Sequence, residues 1–99
     1  MTSVEQGNTD PDLVDDIAAA VLAVDGVADL HGGMFGEAAT YLPGRRVAGI
    51  RVGEQGTEVH VSLLFGYPLR PTAEAVRDAV APLVSGSVHV TVEDVIRSR

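Results

Sequence analysis

The sequence predicts an α+β fold: a two-layer α/β sandwich in which two helices cover one face of a three- to four-stranded mixed sheet, in the order α-β-β-β-α-β. Three observations carry it. Val59, Val61, Leu63 and Phe65 alternate with His60, Ser62 and Leu64, the period of two expected of a strand with one buried face. On either side of that run, apolar residues recur at helical spacing, from Leu13 and again from Val76. Finally, strand, helix and a further alternating run follow one another from Glu58 to Val95, a βαβ unit for which a right-handed crossover is strongly preferred.

Taken in order, residues 1–9 are polar and read as a disordered tail, residues 10–96 as a single domain, and residues 97–99 as a C-terminal tail. Asp10-Pro11 has the form of an N-cap followed by proline at the first helical position. Leu13, Ile17, Val21 and Val24 then share one side of the helical wheel with Ala20, and Asp12, Asp15 and Asp16 fall on the other. Acids suit the first turns of a helix, where the macrodipole favours them. Gly26 marks the stop, and Val27–His31 forms a short strand. Val47–Val52 and the run from Val59 are joined by Gly53-Glu54-Gln55-Gly56, a β-hairpin signal. Pro71 opens the second helix, whose packed stripe is Val76, Val80, Leu83 and Val84. Pro82 loosens its last turn and Gly86 ends it. Val88, Val90 and Val92 make a last alternating strand. Leu63 and Val80 sit at the centres of their apolar faces and are expected to meet in the core. The other sheet face is expected to display His60, Ser62, His89, Thr91 and Glu93.

Gly32–Arg46, GGMFGEAATYLPGRR, is the least regular segment, with four glycines, one proline and no clear period. Connections this long in so small a domain are usually functional. The Walker spacing with its lysine is missing, and so is the dinucleotide fingerprint, so a phosphate cradle is not expected. Two readings stay open for Met34, Phe35, Tyr41 and Leu42: they fold back to cap the core, or they form a partner surface.

Composition narrows the functional classes. The chain has 99 residues, 45% of them hydrophobic, enough for one small core. It has no cysteine, hence neither disulfides nor thiolate metal sites. No apolar run approaches the roughly 18 residues of a membrane span. MTSVEQGNTD has no basic or apolar signal region, so a cytoplasmic protein is expected. The net charge is −7, with eight acids and no Lys or Arg in residues 1–44, and six acids and seven Arg thereafter. That balance argues against nucleic-acid binding and against direct docking on anionic lipid. It also sets Asp12, Asp15 and Asp16 apart from Arg45 and Arg46, at the end of the glycine-rich segment. Opposite charges on two patches allow a head-to-tail contact between copies.

Chemistry of a catalytic kind has little support, and no catalytic or metal-ligating residue is assigned. No serine sits in a nucleophile elbow. His60 and His89 with Glu93 make a weak ligand set without recognised spacing. No cofactor is implied.

The pattern as a whole resembles the alkaline shock protein family, the Gls-type envelope stress proteins. The residues that carry the resemblance are Ile17-Ala18, Val24-Asp25-Gly26-Val27, Leu30-His31-Gly32, Tyr41-Leu42-Pro43-Gly44-Arg45-Arg46-Val47 and Gly49-Ile50-Arg51-Val52. It continues through Val59–Phe65, Gly66-Tyr67, Val76/Val80/Val84 and the closing valine strand with Asp94-Val95, about residues 12–96 in all. The Arg-only basic complement looks like the short, actinobacterial-type members. The resemblance implies a non-enzymatic scaffold or adaptor in envelope homeostasis and alkaline stress in a Gram-positive cell. Such a protein is cytoplasmic and membrane-proximal through a partner. It self-associates and docks on protein partners, a small membrane-embedded anchor among them. Tyr41, Arg45, Arg46, Asp12, Asp15 and Asp16 are the expected partner-binding residues. The competing expectation is a small ligand- or metal-binding regulatory module that uses the open sheet face.

Overall fold

The structure is a computed structural model that describes residues 10–98; the tail expected at 1–9 lies outside the described residues. The chain runs α1 (Pro11–Leu22), β1 (Val27–Leu30), β2 (Ala39–Leu42), β3 (Arg45–Ala48), β4 (Ile50–Gly53), β5 (Gly56–Leu64), α2 (Leu69–Val80) and β6 (Ser87–Ile96). This is the α+β class, with a mixed four-stranded sheet, two helices and an additional two-stranded sheet.

β5 organises the sheet. β6 pairs with it in parallel along its whole length, from Gly56 opposite Ser87 to Leu64 opposite Ile96. A strand has only two hydrogen-bonding edges, so the antiparallel strands β4 and β1 share the other one, end to end. β4 takes Gly56–Val59 and β1 takes Val61–Leu63. They meet at His60, whose N–H donates to the Gly49 carbonyl and whose carbonyl accepts from the His31 N–H, both at 2.8 Å. Gly49 makes this junction possible. Its φ is +86°, and a Cβ there would lie 2.9 Å from the His60 carbonyl oxygen and 2.9 Å from the Leu30 Cβ.

That geometry corrects the hairpin. Val47–Val52 is not one strand, because the turn at Gly49 assigns Val47 and Ala48 to β3 and leaves only Ile50–Gly53 opposite β5. The connection narrows to Glu54-Gln55, since Gly53 and Gly56 are themselves paired. The glycine-rich segment is corrected too. It contains β2 and, with Val47 and Ala48, most of a hairpin with β3 in register from Ala39 opposite Ala48 to Leu42 opposite Arg45. Four-residue strands are too short to show a period, but Pro43-Gly44 is the residue pair a two-residue turn calls for. Thr40, buried, donates its hydroxyl to the Ile50 carbonyl and fastens this hairpin to β4.

α1 and α2 pack on each other and on the sheet, α1 against β1 and β4, α2 against β6. Asp10 caps α1 by accepting from the Asp12 N–H at 2.9 Å. The buried stripe of α1 is Val14, Ile17 and Val21, so Val14 takes the central place expected of Leu13, which is half-buried. The helix also ends at Leu22, with Gly26 in the turn that follows. Val14, Ile17, Val21, Val76 and Val80 meet Val27, Ile50, Val59, Val61 and Leu63, all of them fully buried. Leu63 and Val80 thus share one core, as expected. Pro82 sits in a single 3-10 turn, Ala81–Leu83, that follows α2. Leu83, expected in the packed stripe, is 37% exposed there.

Phe65 departs from its expected burial. β5 stops at Leu64, the chain turns, and the Phe65 ring is 62% exposed with the Arg97 guanidinium 4.7 Å from its centre. β6 ends at Ile96.

Candidate functional site

The chain between β1 and β2 is tied down at nearly every residue. The Gly36 N–H donates to the Gly33 carbonyl (3.2 Å), closing a β-turn with Met34 and Phe35 at its corner. The Gly33 N–H donates to His31 Nδ1 (2.9 Å) and the Ala38 N–H to the Gly32 carbonyl (2.9 Å). Glu37 turns its carboxylate back under the corner, accepting from its own N–H and, at 3.0 Å, from the Phe35 N–H. These two backbone bonds hold the Glu37 carboxyl below the usual carboxylate range, with a smaller pull from His60 and His31. The corner side chains project into solvent, Met34 81% and Phe35 88% exposed.

Arg46 joins this turn to the hairpin. From β3 its guanidinium donates to the Gly36 carbonyl at 3.0 Å and lies 5.9 Å from the centre of the Tyr41 ring on β2. Tyr41 is 72% exposed. Arg46 thus links the turn that carries Met34 and Phe35 to Tyr41 on the hairpin. Of the two open readings of the glycine-rich segment, Leu42 takes the first: it is buried in the core, while the other three apolar residues stay in solvent.

The charged residues are placed differently from the sequence expectation. Arg45 does not stand apart from the acids of α1. Its two terminal nitrogens donate to the two Asp15 carboxylate oxygens at 3.1 and 3.0 Å, within one chain. That pair raises the Arg45 pKa. Arg45 and Asp15 are therefore joined within the chain, and of the two patches Arg46, Asp12 and Asp16 are left for a head-to-tail contact. Asp12 and Asp16 remain exposed. Tyr41 and Arg46 come together, then, whereas Arg45 joins Asp15 across the hairpin and α1.

On the far sheet face, His60 is less displayed than its strand position implied. Its side chain is only 14% exposed, with Nδ1 2.7 Å from Glu93 Oε2 and Nε2 3.4 Å from Glu58 Oε1. Glu93 is the residue passed over where β6 slips by one against β5, between Val92 and Asp94. His89 sits opposite Glu58, two residues from the pair formed by His60 and Thr91. Ser62, expected on the surface, is buried. Among the described residues no group of three or more His, Asp or Glu is arranged to hold a metal ion. None of the described helices is long and apolar enough to cross a membrane.

Sequence reasoning missed Glu37 and the part His31 plays in the turn. The signal available was Gly33-Met-Phe-Gly36, two glycines bracketing two large apolar residues, which is unusual where turn corners favour polar residues, Gly and Pro. Comparison of the chain with protein-family models, with curated proteins and with solved structures found no match.

Proposed function

We propose that this chain is a non-enzymatic adaptor and scaffold that works by docking protein partners, in cell-envelope homeostasis and the envelope response to alkaline stress. The observation that carries the docking part is the solvent-facing turn. Met34 and Phe35 are 81% and 88% exposed beside Tyr41 and Arg46, on backbone that hydrogen bonds hold in place. Isolated apolar side chains on a surface are ordinary, but apolar, aromatic and arginine residues together on a fixed turn and the hairpin tied to it have the composition of an interface core. Ordering such a loop in advance lowers the entropic cost of binding.

The envelope context comes from the resemblance to the alkaline shock proteins, which also implies self-association, a cytoplasmic site of action and a membrane-embedded partner. Affinity capture from the membrane fraction of the native cell tests both halves. Wild-type protein is expected to retain a discrete membrane protein that Phe35→Ser loses, and a deletion strain is expected to grow poorly at alkaline pH. Capture unaffected by the substitution, together with normal growth of the deletion strain, overturns the proposal.

A further inference from the structure

We propose that the surface formed by Met34, Phe35, Tyr41 and Arg46 receives a segment of a partner protein that presents one carboxylate beside an apolar or aromatic side chain. The proposal rests on the adaptor reading and names the chemistry of what docks. Arg45, the arginine adjacent to Arg46, is occupied by Asp15 in a two-oxygen pair. Arg46 has five N–H donors; the one bond found for it goes to the Gly36 carbonyl, and among the described residues it pairs with no carboxylate. A guanidinium fixed by a backbone carbonyl and an aromatic ring, with donors to spare, is shaped for a carboxylate.

The surroundings specify the rest of the ligand. Met34 and Phe35 are exposed at the corner of the turn whose Gly36 carbonyl Arg46 holds, and the Tyr41 ring is 5.9 Å from the Arg46 guanidinium, so a ligand that reaches Arg46 has exposed apolar side chains within the same turn and hairpin to meet. An arginine framed by aromatic and methionine side chains is where binding energy concentrates in protein interfaces.

Charge decides between occupants. A second copy brings a net charge of −7 to a molecule that already carries −7. An anionic bilayer meets the same repulsion across its whole face. A segment with a single carboxylate is attracted by Arg46 at contact distance and carries little of that repulsion with it. A run of acids gains nothing further, so the surface selects one acid with an apolar neighbour rather than an acidic tract.

The test is selection of displayed random peptides on the full chain, with counter-selection on Phe35→Ser/Arg46→Gln. Enriched peptides are then measured by fluorescence anisotropy against wild type, Phe35→Ser, Met34→Ser and Arg46→Gln, each checked for an unchanged thermal melt. The expected peptides carry one Asp or Glu next to an aromatic or aliphatic residue. Phe35→Ser and Arg46→Gln are each expected to weaken binding at least about tenfold. Replacing the peptide acid by its amide should cost as much against wild type, and almost nothing further against Arg46→Gln.

Failure to enrich any peptide, enrichment without an acid, or affinities indifferent to Phe35 and Arg46 overturns the proposal. So does a Phe35-dependent dimer in sedimentation, which makes the occupant a second copy. Phe35-dependent flotation with phosphatidylglycerol/phosphatidylcholine vesicles overturns it as well, since the occupant is then a bilayer. The adaptor reading outlives any of these failures if the membrane-fraction partner is still captured through Phe35, and falls only if that capture fails too.

Discussion

Gly49→Ala should be far more damaging than its small size suggests, and the reason lies at the junction where two strands share one edge of β5. The first cost is conformational. A φ of +86° lies in the left-handed region, where an L-residue with a Cβ is about 1–2 kcal/mol worse off. The second is steric. The new methyl would sit 2.9 Å from the His60 carbonyl oxygen, 2.9 Å from the Leu30 Cβ and 3.0 Å from the His31 nitrogen, two of them backbone atoms that cannot swing aside. Relief means moving β1 away from β5, at the expense of the bond from the His31 N–H to the His60 carbonyl or that from the His60 N–H to the Gly49 carbonyl. Each is worth about 0.5–1.5 kcal/mol. The total, about 1.5–3.5 kcal/mol, is a large part of the roughly 5–15 kcal/mol that holds a small domain. Gly44→Ala is the matched control. Gly44 also has a positive φ, +80°, but a Cβ there meets nothing within 4 Å, so only the conformational cost of about 1–2 kcal/mol applies. Urea unfolding followed by circular dichroism gives both values. Equal losses for the two substitutions would refute the junction.

Three further outcomes are expected. Leu63→Ala should cost about 2–4 kcal/mol in urea unfolding, because Leu63 is fully buried between the sheet and the helices; an unchanged midpoint would show that it is not. His60→Ala leaves Glu93, only 22% exposed, without its 2.7 Å partner, and should cost about 1–3 kcal/mol by the same measurement, while a loss under about 0.5 kcal/mol would contradict the pairing. Because the Glu37 carboxyl is held below its ordinary range, its bonds to the turn are fully present above the unfolded-chain value, about 4.3, and are lost as pH falls through the lower folded value. An NMR titration should therefore show the Phe35 amide moving only on the acid side of about pH 4.3, and Glu37→Gln should abolish that movement; a midpoint at or above the ordinary value refutes it.

Much of the fold was legible because long periodic runs leave little choice. Val59–Leu63 reads as a strand with one buried face, and Val76 with Val80 reads as a helix stripe; Val59, Val61, Leu63, Val76 and Val80 are fully buried, although Ser62 on the opposite face is buried as well. The failures are local. β2 and β3 are four residues each and take their places from tertiary contacts, Leu42 in the core and Thr40 on the Ile50 carbonyl, which no period announces. Phe65 continues the alternation in sequence but lies past the end of β5, in the turn that follows, and is 62% exposed. Tyr41 and Arg46 were recognisable as candidates by residue type. Their meeting with Met34 and Phe35 depends on Arg46 reaching across to the Gly36 carbonyl, and the pairing of Arg45 with Asp15 spans thirty positions of chain. Neither can be read from spacing.

The account stands or falls on whether the Met34–Phe35 turn touches a protein partner in the cell. Site-specific photo-crosslinking answers this directly, with the photoreactive residue placed at Phe35 in one strain and at Asp78, exposed on α2, in another. The account predicts a discrete protein adduct from position 35 that Arg46→Gln removes, and none from position 78. Adducts absent at position 35, or equal at both positions, would contradict it.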